Sequence, residues 1–204
     1  MSEKTQDFVA LRQILAEILE EICSLSDCQS VAIRLHDNGD YPYYIHEGFP
    51  DFFVHKESSI CTKDEEDNLI FDEDGNPLLE CMCGNVLKGR FDSKLPYFTE
   101  KGSFWTNSTS QLLKTITEEE RQGRIRSMCN YSGYESVALV PLRAGKITLG
   151  LIQMNDPREK MFTLEKIENF EDIADRVGSV VFNALEIKKK MNDVFELVNK
   201  LKGT

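Results

Sequence analysis

Apolar residues between positions 6 and 26 recur at alternating steps of three and four: Phe8, Leu11, Leu15, Ile18, Ile22 and Leu25. This heptad stripe predicts an amphipathic helix. Ile14 and Leu19 supply a second apolar face, so the helix can meet two neighbours. The period then drops to two. Over residues 30–36, Val31, Ile33 and Leu35 alternate with Ala32 and Arg34, which predicts a strand. Asp37-Asn38-Gly39-Asp40 follows, and Asn-Gly between apolar runs predicts a type I′ hairpin, because both central residues must accept positive φ. Residues 41–47 form the returning strand, with Pro42 at its opening or at a sheet edge.

The middle of the chain is less regular. Residues 61–80 carry Asp64, Glu65, Glu66, Asp67, Asp72, Glu73 and Asp74. A calcium loop centred on Gly75 fits poorly, since its first and twelfth positions fall on Ile70 and Cys81. A solvated loop with a turn at Asp74-Gly75-Asn76-Pro77 is the better reading. Residues 83–87 predict a short helix and 103–107 a short strand. Thr117 and Glu120 make a capping box for a helix over 118–130. Residues 135–142 and 147–154 read as two strong strands joined at Arg143-Ala144-Gly145-Lys146. Thr163 caps the last helix. Its stripe runs Ile173, Val177, Val180, Ala184, Ile187, Met191, Val194, Val198 and Leu201. Ile173, Val180, Ile187 and Val194 share one heptad position, where β-branched residues favour a parallel two-stranded coil. The reading is therefore a parallel homodimer through helices 6–26 and 164–201. No internal repeat is evident.

With 204 residues, 41% of them hydrophobic, the chain suffices for one sizeable domain. Its net charge of −11 and the lack of a basic stripe argue against nucleic acid as a partner. Lys188-Lys189-Lys190 reads as a solvated helix face. No apolar run reaches bilayer length and the N-terminus has no apolar signal region, so no membrane association and a cytoplasmic location are expected. In a reducing compartment the six cysteines are thiols, metal ligands or redox groups before they are disulfides.

The order of elements suggests an α/β chain of the α+β kind: a central antiparallel sheet, helices grouped on one side, and long helices at both ends. Several stretches carry a more specific signal. These are Tyr41-Pro42-Tyr43-Tyr44, Glu47-Gly48-Phe49-Pro50, Cys81-Met82-Cys83-Gly84-Asn85-Val86, Leu95-Pro96-Tyr97-Phe98-Thr99, residues 102–109, Arg126-Ser127-Met128-Cys129-Asn130 and residues 133–143. Over about residues 28–185 the chain resembles GAF domains, in particular a Cys-x-Cys-Gly subgroup found beside PAS and histidine-kinase modules. The resemblance implies a GAF-like fold and a sensory role. It divides the chain into a signalling helix (1–27), a GAF core (28–162) and a helix with coiled-coil character (163–204). It implies a histidine kinase or another signalling partner, although the sequence carries no output domain.

Cys61, Cys81, Cys83 and Cys129 all lie in segments that carry the resemblance. Four thiolates suit tetrahedral zinc or an iron–sulfur cluster, and these are the cofactors the reading places first. A thiol switch or unreactive core thiols remain alternatives. Cys23 and Cys28 read as packing. Haem is the next cofactor considered, but His36, His46 and His55 lack axial-ligand spacing. Trp105, Tyr134 and Tyr44 are candidates to line a ligand cavity, with Trp105 and Tyr134 placed beside the four cysteines as cofactor contacts. Arg34, Arg90, Arg126 and Arg143 could bind an anion or form ion pairs. No nucleophile elbow, P-loop, zinc-protease or dinucleotide motif is present, so the chain reads as a sensor and not an enzyme. A small-molecule GAF domain with structural cysteines and a thiol-dependent reductase of GAF-like fold are the two alternatives.

Overall fold

The computed structural model describes residues 3–121 and 124–202, with residues 3–10 as backbone alone. Helix α1 (Glu3–Ser26) leads into β1 (Ser30–Leu35), β2 (Tyr43–Glu47), α2 (Asp51–Glu57) and α3 (Cys81–Lys88). Next come β3 (Phe104–Thr106), α4 (Thr109–Thr115), α5 (Glu118–Arg121), α6 (Met128–Tyr131), β4 (Ser136–Ala144), β5 (Ile147–Asp156) and α7 (Leu164–Lys202). The strands form one antiparallel sheet in the order β2-β1-β5-β4-β3. The fold is thus α+β with long terminal helices, as the patterning predicts.

Alternation along the strands separates two cores. Val31, Ile33, Val140, Leu142, Ile152 and Met154 face α1 and α7. Ala32, Val137, Leu139, Leu151 and Phe104 face the opposite way, toward Phe53, Met82, Val86 and Leu87 of α2 and α3. The two long helices share one face and the short helices cover the other, so helices flank both faces of the sheet and are not grouped on one side as expected. The first residues of α7 meet the end of α1, where Lys166 Nζ donates to Ser26 O at 2.8 Å. The helices run antiparallel from there, and between their far ends and the β1–β2 hairpin lies a crevice of about 680 Å³.

The hairpin forms as its sequence dictates: Asn38 and Gly39 have φ of 50° and 88°, and Asp37 and Asp40 exchange backbone hydrogen bonds. The α1 stripe is rotated from the expected one. Leu11, Leu15, Leu19 and Ile22 are buried, whereas Leu25 and Ile14 are exposed; Phe8 lies outside the described side chains. On α7 the sheet takes Ile167, Phe170, Ala174, Val177 and Val181. Gly178 allows this approach, because a Cβ there would lie 2.1 Å from Arg143 O. Among the described residues none beyond Val181 is buried.

Three expectations change. The helix over 118–130 is replaced by the single turns α5 and α6, with non-helical backbone at 124–127. Its capping box does form, with Thr117 N donating to Glu120 Oε2 and Glu120 N to Thr117 Oγ1. The acidic stretch is not a plain loop: two turns of the same design stand eight residues apart. Asp64 Oδ1 accepts from Glu66 N and Asn68 N, and Asp72 Oδ1 accepts from Asp74 N and Asn76 N. Positive φ falls on Asp67 and Gly75. The turn therefore starts at Asp72, two residues before the expected one, and both aspartates are used by their own backbone.

Candidate functional site

The second core contains a small cavity of about 70 Å³. Its floor is sheet: Phe104, Val137, Leu139 and Gln153. Cys81, Met82 and Cys83 of α3 form one wall together with Glu57 at the end of α2. A strap of chain from Thr109 to Asn130 covers it, contributing Leu112, Ile116, Ile125, Ser127, Met128 and Cys129. Alternation decides which strand residues reach it: Phe104 does, whereas Trp105 packs on the α7 side.

Cys81 ties wall to strap. It opens α3 with φ 62°, a conformation that costs a non-glycine residue about 1 kcal/mol. Its N–H donates to Arg124 O at 2.7 Å, and its Sγ accepts from Arg126 N at 3.0 Å. Ser127, on the strap, also has positive φ, at 58°. Asn85 Nδ2 adds a bond to Arg121 O at 2.7 Å. Gly84 is required because a Cβ would meet Leu79 within 2.9 Å. Strain of this kind persists only where neighbouring contacts over-determine it, and it concentrates at functional sites.

The polar groups around the cavity are engaged elsewhere. Arg34 is fully buried. Its Nε donates to Gln153 Oε1, Nη1 to Tyr41 O and Ser58 O, and Nη2 to Glu57 O. Its face lies 3.6 Å from the Tyr43 ring centroid. Gln153 also accepts from Tyr43 OH and donates to Asn155. Arg126 pairs with Glu80 at 2.6 Å and Glu57 at 3.4 Å. Arg90 and Arg143 donate to Leu79 O and Lys101 O. The four arginines thus hold the fold.

Of the four expected cysteine ligands, Cys81, Cys83 and Cys129 meet at the cavity and Cys61 does not. Cys61 bridges Leu79 in the extended segment before the acidic turns, beside Asp40 and Ser59. Among the described residues no three or more His, Cys, Asp or Glu side chains stand where they could share a metal ion. The tetrahedral thiolate centre is therefore not assembled among the described residues: Cys61 sits with Leu79, Asp40 and Ser59, outside the cavity. Burial, then the neighbouring Cys83, pushes the Cys81 thiol up to about 12. Burial likewise raises Cys83 and Cys129, and burial with Asp40 holds Cys61 at about 11. These are neutral thiols at physiological pH. A metal would have to displace these protons on binding.

Tyr134 is core and not a cavity contact. It sits against Phe49 and Phe53 and hydrogen-bonds Ser30 Oγ at 2.9 Å. Tyr44 lines the crevice between the long helices instead. His36 Nε2 accepts from Gly39 N, a turn-capping role, while His46 and His55 are exposed. No histidine reaches the cavity, whose volume excludes a haem macrocycle in this conformation. Cys23 and Cys28 are raised to about 11, mainly by burial, in keeping with packing. Glu57, Met82, Phe104, Met128 and Gln153 were not legible as site residues. The only signal was their place on the inward strand face or beside the Cys-x-Cys pair.

A sheet with long helices on one face and a strapped cavity on the other defines the class of fold, an α+β module. The chain belongs to the GAF family: the model of the GAF domain matches residues 10–181. Solved structures agree at the level of fold. The GAF domain/HD domain protein from Geobacter sulfurreducens is 13% identical with a TM-score of 0.55, covering 87% of this chain and 95% of that one. The second GAF domain of DevS from Mycobacterium smegmatis is 12% identical with a TM-score of 0.54, covering 90% and 99%. A type II free methionine-R-sulfoxide reductase from Thermoplasma acidophilum is 11% identical with a TM-score of 0.56, covering 87% and 95%. No curated protein sequence matches. Among the described residues no helix is long and apolar enough to cross a membrane.

Proposed function

We propose that this chain is a sensory GAF module that binds a small ligand in the cavity lined by Cys81, Cys83 and Cys129 and relays occupancy through a helical dimer. The observation that carries the reading is the pairing of a strained, strapped cavity on one sheet face with a 39-residue helix on the other. A route between the faces exists. Glu171 of α7 is buried, and its Oε1 accepts from Thr99 Oγ1 and Ser103 Oγ, immediately before β3 and the cavity residue Phe104. Lys101 adds exposed pairs with Asp172 and Asp175. A shift of β3 would thus pull on α7. The heptad residues Val180, Ile187 and Val194 are 40%, 58% and 59% exposed, free of the sheet and available to a second copy. The relayed motion would act on a histidine kinase or a comparable signalling partner.

The test is thermal denaturation of the purified protein against a panel of low-mass metabolites, with Leu139→Trp as the pocket control. A ligand at 100 times its Kd stabilises by about 2.7 kcal/mol. Stabilisation of the wild type that is lost in Leu139→Trp supports the reading; stabilisation indifferent to that substitution sinks it. Elemental analysis of the same sample decides the cofactor: stoichiometric zinc or iron would restore the metal centre.

A thiol-dependent reductase has one observation in its favour: three thiols and the buried Glu57 line one cavity. Two thiols would reduce a sulfoxide to the sulfide, forming a disulfide and releasing the oxygen as water. The raised thiol pKa values oppose it, since the thiolate is the nucleophile. Turnover of methyl sulfoxides with a dithiol, lost in Cys129→Ser, would overturn the sensor reading.

A further inference from the structure

The proposed ligand pocket constrains its occupant more tightly than the fold does. Resting on the sensory reading above, we infer that the ligand is a small, uncharged, apolar molecule, for which dimethyl sulfide serves as a probe. Three observations converge. The first is size. A dry cavity of ~150 Å³ takes benzene, so the ~70 Å³ within this partly open pocket seats roughly three heavy atoms by proportion.

The second is polarity. Thr109 Oγ1 donates to Tyr134 O. Asn130 Nδ2 donates to Thr109 Oγ1 and Ser110 Oγ. Gln153 is used by Arg34, Tyr43 and Asn155, and Glu57 pairs with Arg126. Ser127 is the one other polar side chain in the lining, so a charged ligand or one with several hydrogen-bonding groups would have to break these bonds, because a buried polar group without a partner is costly. The third is softness. Met82, Met128 and the three neutral cysteines line the cavity beside Leu139 and Phe104. Polarisable sulfur favours dispersion contacts with another sulfur or an apolar surface. Nothing in this lining matches a cyclic nucleotide or another anion.

Affinity follows from size. At the ceiling of binding energy per heavy atom, three atoms give a Kd in the roughly millimolar range.

The experiment is methyl NMR of the full chain, titrated with dimethyl sulfide, with dissolved xenon and with cyclic GMP. Saturable shifts of the Leu139, Ile116 and Val137 methyls with dimethyl sulfide and xenon are expected. Overpacking by Leu139→Phe is expected to weaken binding by roughly tenfold or more. Should that variant lose its dispersed spectrum, Ile116→Phe on the strap replaces it. Shifts at these methyls with cyclic GMP and none with dimethyl sulfide or xenon overturn the apolar class while leaving the sensory pocket standing. Silence at these methyls from all three probes, with a metabolite from the thermal panel binding elsewhere, overturns the pocket itself.

Discussion

At the scale of single residues, burial governs the chemistry. Cys81 combines a left-handed backbone, a neutral thiol and an acceptor sulfur, and it joins α3 to the strap. Its thiol, like those of Cys83 and Cys129, is held above the ordinary value of 9.0. A raised thiol contributes stability in full below pH 9 and loses it as pH climbs through the folded value. Stability is expected to fall between pH 9 and 11 by on the order of 1 kcal/mol per pH unit per thiol. Urea midpoints should show a flatter profile for the Cys81→Ser, Cys83→Ser, Cys129→Ser variant. Glu57 follows the same rule at lower pH. Burial raises it despite Arg126 and Arg34, so its contribution is complete below 4.5 and diminishes as pH rises. Glu57→Gln is therefore expected to match or exceed the wild type at pH 7 and to lose that advantage near pH 4. A variant less stable at pH 7 would show that the Arg126 pair outweighs desolvation.

Between elements, the contacts that matter join α7 to the sheet. Gly178 lets α7 lie on β4 at Arg143, so Gly178→Ala is expected to cost about 1–3 kcal/mol, read as a lower urea midpoint. Replacing Glu171 by Ala leaves the hydroxyls of Thr99 and Ser103 without their acceptor in a buried site. The expected cost is about 2 kcal/mol, with amide exchange accelerated across residues 99–104. If exchange there is unchanged, the link from β3 to α7 carries no strain. The α5–α6 region shows why local signals mislead: the capping box is real, but the chain after it is drawn across the cavity by Cys81 and Asn85, and it cannot continue as helix.

For the whole molecule, the question is what covers the C-terminal half of α7. Ile187, Val194 and Leu201 are more than half exposed, and single exposed apolar residues at regular heptad spacing suit a second copy. Ile187→Asp with Val194→Asp is expected to shift the mass by light scattering from dimer to monomer with the circular dichroism of the core retained. Val181→Asp, on the buried side of the same helix, is expected to unfold the domain. A wild type that is monomeric at high concentration would remove the helical relay and leave the pocket as an isolated binding site.

Much of this protein is written locally. Period-two runs place β1, β4 and β5, Asn38-Gly39 makes the hairpin, Thr163 caps α7, and the resemblance identifies the GAF family. These are short-range effects of alternation, positive φ and capping, so they survive without tertiary context. The cavity is different. Which neighbour points inward (Phe104 over Trp105, Tyr43 over Tyr44) depends on register against the next strand. Cys61 looked equivalent to Cys81 in sequence, yet the two Asx-capped turns between them carry it to a separate site. The α1 and α7 stripes were visible, but only the sheet decided which residues of each it would bury. Long-range packing selects one face from several that the pattern allows, and it was that selection that turned four expected ligands into three neutral thiols around a small apolar space.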